Sequence, residues 1–82
     1  MNFEQALDEV LAECRQMLIE KNRAYDNAAL EPLNIFSKLP RAEQIKLRID
    51  DKLKRIRNGA PGEDSTLDLL GYLILDRVEK KL

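Results

Sequence analysis

Apolar side chains recur at helical spacing in three stretches of the chain, separated by one long and one short interruption. In the first, Phe3, Leu7, Val10, Leu11, Cys14, Met17 and Leu18 fall on one stripe, which predicts a helix from about Phe3 to Asn22. Its opening turns are rich in acid, which suits the positive end of the helix dipole. The same register carries Lys21 and Tyr25 onto the apolar stripe and sets Glu9, Glu13 and Glu20 in a file along one flank. In the second stretch Ala42, Ile45, Ile49, Leu53 and Ile56 make a narrower stripe, predicting a helix that starts near Arg41, just after Pro40, and ends at Asn58-Gly59, residues suited to a left-handed cap. A third helix is expected from about Glu63 to Lys81, where Leu67, Leu70, Leu73, Ile74 and Val78 form a broad apolar arc.

Residues 23–40 keep no sustained period and contain Pro32 and Pro40, so they read as a long loop that brings Leu33, Ile35 and Phe36 back onto the core. Long loops often carry function, and Tyr25-Asp26-Asn27 with Asn34-Ile35-Phe36 supplies stacking rings and amides. The competing reading has Tyr25 and Phe36 plug the core. The second connection, Gly59-Ala60-Pro61-Gly62, is a turn. The expected architecture is a single all-α domain over residues 1–82: a three-helix, antiparallel, bundle-like unit with a long loop between helices 1 and 2. A chain of 82 residues builds little core, so completion of the fold as a homo-oligomer is expected.

Charge narrows the functional classes. Fourteen basic and 15 acidic side chains are mixed along the chain for a net charge of -1, which gives no global field toward nucleic acid or a membrane. The one basic run, Lys52 to Arg57, directly follows Asp50 and Asp51, whereas a dedicated nucleic-acid binder carries a clearer basic excess. One cysteine, Cys14, makes no internal disulfide, and no apolar run reaches the ~18 residues of a membrane span. A soluble cytoplasmic protein is the expectation. The absence of histidine removes the Ser-His-Asp triad, the Cys-His pair and any His-ligated zinc, so a metal here would be oxygen-bound.

The candidate chemistry lies in charged positions beside apolar stripes. Asp64 and Asp68 stand one turn apart on a largely apolar helix, and a carboxylate there costs free energy unless it is paired, hydrogen-bonded or bound to a metal. The structural alternative is capping: Asp64 or Ser65 starts the helix, and Ser65-Thr66-Leu67-Asp68 has the form of a capping box. On the second helix Arg48, Asp51, Lys52 and Arg55 share a flank at the spacings of salt-bridge partners. The functional reading gives Asp51 to a metal and Arg48, Lys52 or Arg55 to a phosphate. Lys21 either lays its stem along the apolar stripe and lets the ammonium reach water, or binds an anion. Glu9, Glu13 and Glu20 read as a solvated face. Gly71, mid-helix beside Tyr72, marks close approach of another helix or a ligand.

Taken in order, the chain shows Lys-x-x-x-Tyr ending the first helix, a variable loop, Arg-x-x-Asp-Lys-x-x-Arg, a glycine-containing turn, and Asp-Ser-x-x-Asp-Leu-x-Gly-Tyr. Over roughly residues 18–76 this resembles the small phage and prophage proteins related to the MazG-type all-α nucleoside triphosphate pyrophosphatases, some of them catalogued as nucleotide-modification-associated. The resemblance implies acidic residues of neighbouring helices holding Mg²⁺ against a nucleoside triphosphate while water splits off pyrophosphate. It implies Asp64 and Asp68 as metal ligands completed by Asp51 and Glu20, with Asp51, Asp64 and Asp68 catalytic. Lys21, Tyr25, Arg48, Lys52, Arg55 and Tyr72 would contact the nucleotide. The Glu-Glu-x-x-Glu motif of the larger group does not occur as such, and the Tyr-Gly pair of the small relatives is Tyr25-Asp26 here. A Mg²⁺-dependent nucleotide-binding protein with pyrophosphohydrolase chemistry is thus one expectation. The other is a non-catalytic helical protein that sequesters nucleotides or meets a host protein as an interaction or inhibitor module.

Overall fold

A computed structural model describes residues 1–59, 62 and 64–82. They form three helices and, among the described residues, no strand: α1 (Phe3–Ala24), α2 (Arg41–Asn58) and α3 (Ser65–Glu79). The all-α expectation holds, and the helix limits follow local hydrogen bonding. Asn2 caps α1 reciprocally: its side chain accepts from the Gln5 amide at 2.9 Å while the Gln5 side chain accepts from the Asn2 amide at 3.0 Å. That Asn-x-x-Gln pattern precedes the apolar stripe and escapes a reading based on periodicity alone. At its other end α1 runs past Asn22 to Ala24, and the Tyr25 amide still donates to the Lys21 carbonyl at 3.0 Å. Gly59 closes α2 with φ 69°, in the left-handed region where a side chain is strained. Asp64 caps α3 by accepting from the Leu67 amide at 3.0 Å, so the helix begins at Ser65. Glu63, the expected start, lies outside the described residues, as do Ala60 and Pro61 of the turn.

The register of side-chain contacts fixes the arrangement. Arg41 at the start of α2 meets Glu79 at the end of α3 at 3.2 Å, and Lys52 meets Asp68 at 3.2 Å, so α2 and α3 are antiparallel. Lys21 also reaches Asp68, at 2.8 Å, while Met17 and Leu18 lie against Gly71, so α1 is antiparallel to α3 as well. Hence α1 and α2 run in the same direction on two sides of α3, and they make no close backbone approach to each other among the described residues. Helix α1 is 22 residues long against 15 for α3. With Lys21 level with Asp68, the first turns of α1 extend past the end of α3.

The parallel course of α1 and α2 explains the long loop. The chain must return from the C-terminal end of α1 to the opposite end of α3 before α2 can start. Tight hydrogen-bonded turns from Tyr25 to Glu31, with Asp26 and Asn27 at positive φ, cover part of that return, and the Leu30 carbonyl accepts from the Arg41 guanidinium at 3.4 Å. The rest of the loop folds on itself. The Asn34 carbonyl accepts from Lys38 Nζ at 2.6 Å, and Gln44 Nε2 donates to Asn34 Oδ1 and the Leu39 carbonyl, both at 2.8 Å. The expectation that Leu33, Ile35 and Phe36 return to the core is therefore corrected: they are exposed, Phe36 completely so at 100 %. Tyr25 is exposed too, which removes core plugging as its role.

Among the described residues the fully buried side chains are Cys14 and Ile45, and Gly71 is buried where α1 crosses α3. A Cβ on Gly71 would stand 2.7 Å from Met17 Cε and 3.3 Å from Leu18 Cδ2, so the missing side chain is what lets α1 close on α3. No helix among the described residues is long and apolar enough to cross a membrane. The chain exposes 6530 Å². A close-packed monomer of 9.5 kDa exposes roughly 5,000 Å². The radius of gyration, 14.0 Å, likewise exceeds the roughly 12 Å of a compact chain of this length. Two helices that rest on a third without close backbone approach to each other leave much apolar surface in water.

Gly71 gives a graded test of the crossing. In Gly71→Ala the helical preference for alanine, about 1 kcal/mol, offsets the displacement of the flexible Met17 tip, and stability in urea denaturation stays within about 1 kcal/mol of the parent. Gly71→Val pushes a second methyl into Leu18 and costs about 1–3 kcal/mol.

Candidate functional site

Each helix sends one charged side chain to a common point. Lys21 leaves α1 in its last turns, Lys52 leaves the middle of α2, and Asp68 leaves the first turn of α3. The two carboxylate oxygens are divided: Lys21 Nζ donates to Oδ1 at 2.8 Å and Lys52 Nζ donates to Oδ2 at 3.2 Å. Asp68 is thereby the paired carboxylate that its place on an apolar helix requires. The partners differ in setting, with side-chain exposures of 17 % for Asp68, 14 % for Lys52 and 48 % for Lys21.

The electrostatics follow. Partial burial pushes the Asp68 carboxyl up, but hydrogen bonds from Lys21 and Lys52, together with their charges, outweigh it and hold the group below the usual aspartate range. The Lys21 ammonium is raised above the usual lysine range, chiefly by its hydrogen bond to Asp68; burial opposes this, and the charge of Asp68 adds to it. A depressed Asp68 contributes stability that is present above its unfolded pKa and lost as pH falls through the folded value. A raised Lys21 contributes stability that is present below its unfolded pKa and lost as pH rises through the folded value. The Lys21–Asp68 contribution is therefore fully present between the ordinary aspartate and lysine ranges. Cys14 differs: burial, with the nearby Glu13 charge adding, pushes its thiol up, so it is a small buried hydrophobe.

The gap between α1 and α2 forms a cleft of about 490 Å³ around this junction. Met17, Leu18, Lys21, Asn22 and Tyr25 wall it on the α1 side, Ala28 and Ala29 of the following turn extend that wall, and Arg48 and Lys52 wall it on the α2 side. The floor is α3, through Asp68, Gly71, Tyr72 and Leu75. Among the described residues three basic side chains thus stand with one carboxylate, between two tyrosine rings and an apolar lining. The volume lies within the roughly 300–1,000 Å³ of small-molecule sites.

Of the residues expected to contact a nucleotide, Lys21, Tyr25, Arg48, Lys52 and Tyr72 line this cleft, and Arg55 does not. Of the expected metal ligands, Asp68 alone lies in it. Asp64 is the α3 cap, Glu20 accepts from Gln16 Nε2 at 2.8 Å on α1, and Asp51 is exposed on α2. Among the described residues no three Asp, Glu, Cys or His side chains come together as a metal group. With Asp68 already matched by two ammoniums, the described carboxylates do not fit a shared magnesium ion. Asn22, Ala28, Ala29 and Leu75 were not singled out by the sequence reading as parts of a site. The sequence signal for Asn22 was its position next to Lys21, and the turn carried none.

The junction yields an ordered set of stability changes. Asp68→Asn removes the charge that meets both Lys21 and the mostly buried Lys52 and costs about 2 kcal/mol in urea denaturation at pH 7. Lys21→Met, at a half-exposed position, costs under about 1 kcal/mol. Asp64→Ala costs about 1 kcal/mol through the lost cap. The charge penalty of Asp68→Asn shrinks as pH falls through the lowered pKa of the parent carboxyl, while the capping penalty is judged separately by the loss of α3 helicity. A penalty for Asp68→Asn that does not shrink on acidification would show that the ion pair does not carry the effect. No protein-family model matches the chain, and no curated protein or solved structure is detectably similar to it.

Proposed function

We propose that the protein binds a nucleotide in the cleft between α1 and α2, the phosphates lying against Lys21, Lys52 and Arg48 and the base against Tyr25 or Tyr72. One observation carries this reading: three cations from two helices face a single carboxylate in one small-molecule-sized cleft that also presents two aromatic rings. Ammonium and guanidinium groups bind phosphate oxygens through charge-assisted hydrogen bonds, and a ring that is already exposed, as Tyr25 is, stacks on a base at little cost in desolvation. Asp68 acts as a resident counter-ion. It holds two lysines in place in the empty cleft and opposes an incoming phosphate by its own charge. A magnesium cluster of Glu20, Asp51, Asp64 and Asp68 is no part of this reading. Self-association belongs to it, because the chain exposes roughly 1,500 Å² more than a close-packed monomer of its mass.

The test is titration calorimetry with a panel of nucleoside mono-, di- and triphosphates, in Mg²⁺ and in EDTA, with products resolved by chromatography. Binding is expected in both media. Lys52→Met weakens it at least tenfold, the loss of one charge-assisted hydrogen bond of about 1.5–3 kcal/mol. Asp68→Asn tightens it severalfold, whereas a metal-ligand role for Asp68 demands loss of binding in the same variant. Formation of monophosphate and pyrophosphate only in Mg²⁺ would restore the pyrophosphohydrolase reading. Absence of binding across the panel would remove the nucleotide.

A further inference from the structure

We propose that the chain pairs with a second copy of itself, the acidic first half of α1 in each copy lying against the basic second half of α2 in the other. The pairing rests on the self-association argued above and assigns its surface and symmetry.

Three observations converge on it. The first turns of α1 pass the end of α3 and leave Phe3 exposed at 78 %, with Leu7, Val10 and Leu11 also exposed along the same stripe. From Phe3 to Cys14 that helix carries four acidic side chains and no basic one. The second half of α2 is its complement: over residues 53–58 it carries three basic side chains, Lys54, Arg55 and Arg57, and no acidic one, around the exposed Leu53 and Ile56. Pairing two α1 helices face to face would instead set acid against acid.

Geometry explains why the complement must come from another molecule. Since α1 and α2 run in the same direction on either side of α3, the first half of α1 and the second half of α2 lie at opposite ends of one chain. They cannot meet within it. A two-fold axis perpendicular to the helices reverses the second copy and makes both contacts at once, which gives a closed dimer with no surface left to propagate. The excess exposed area of each chain, roughly 1,500 Å², exceeds the roughly 800 Å² per partner of a standard stable interface. Area and charge thus suffice for the pairing, and the nucleotide cleft, walled by residues 17–29 and by Arg48 and Lys52, lies outside residues 3–14 and 53–58.

Sedimentation equilibrium of the full chain tests this, with circular dichroism to show that every variant remains helical. The parent is expected at about twice its 9.5 kDa chain mass. The pair Glu9→Lys and Glu13→Lys and, separately, the pair Lys54→Glu and Arg57→Glu each weaken dimerisation at least tenfold. Mixing the two variant chains rebuilds a dimer, because each then offers the charge the other needs. A monomeric parent would overturn self-association and the pairing together. A parent dimer that survives either reversal, or is not rebuilt by mixing, overturns the pairing alone. A trimer or larger assembly overturns the closed two-fold arrangement.

Discussion

The three helices are joined through one carboxylate. Asp68 takes an ammonium from α1 on one oxygen and an ammonium from α2 on the other, so a side chain on the central helix ties both outer helices at the same level. Apolar packing alone does not do this, since among the described residues α1 and α2 make no close backbone approach and the buried side chains are few. An ion pair at the surface contributes little, but here Lys52 and Asp68 are mostly shielded from water and each is matched. Gly71, one turn further along α3, supplies the steric half of the junction by letting Met17 and Leu18 approach.

One topological fact accounts for both the cleft and the exposed stripes. Because α1 and α2 are parallel, the loop between them must span α3, and Leu33, Ile35 and Phe36 are spent on that excursion. Because α1 and α2 stay apart, their facing sides become cleft walls near Lys21 and Lys52, while the far ends of the same helices keep Phe3, Leu7, Leu53 and Ile56 in water. The cleft and the surface proposed for association are thus two portions of the same unsatisfied helix faces.

Local features of this fold were legible in the sequence, and long-range ones were not. The apolar periods located all three helices to within a few residues, Pro40 and Gly59 bounded α2, and Gly71 signalled a close crossing, because each depends on neighbours within one or two turns. Lys21, Tyr25, Arg48, Lys52 and Tyr72 could be named as site candidates from their place beside apolar stripes. What the pattern could not supply was which charges meet. Arg48, Asp51 and Arg55 have ideal spacings within α2, whereas Asp68 reaches Lys21 across 47 positions, and only the packing of three helices decides that partner. Asp64 and Asp68 likewise look alike in the pattern, one turn apart, although one caps a helix end and the other meets two lysines.

The charge balance at the junction bears on what the cleft can hold. Unit charges about 4 Å apart near a protein surface interact by about 4 kcal/mol, and among the described residues of the cleft Lys21, Lys52 and Arg48 stand around one carboxylate, Asp68. A divalent cation entering beside Asp68 would have to displace two ammoniums and then sit near them, which is unfavourable by the same measure. A phosphate meets the opposite situation: it brings more than one negative charge and several acceptor oxygens to donors already gathered by Asp68. The carboxylate therefore preorganises the lysines that an anionic ligand needs, at the cost of one repulsive contact with that ligand. Asp68 is thus a structural element of the cleft, and under the proposed function it also tunes anion affinity.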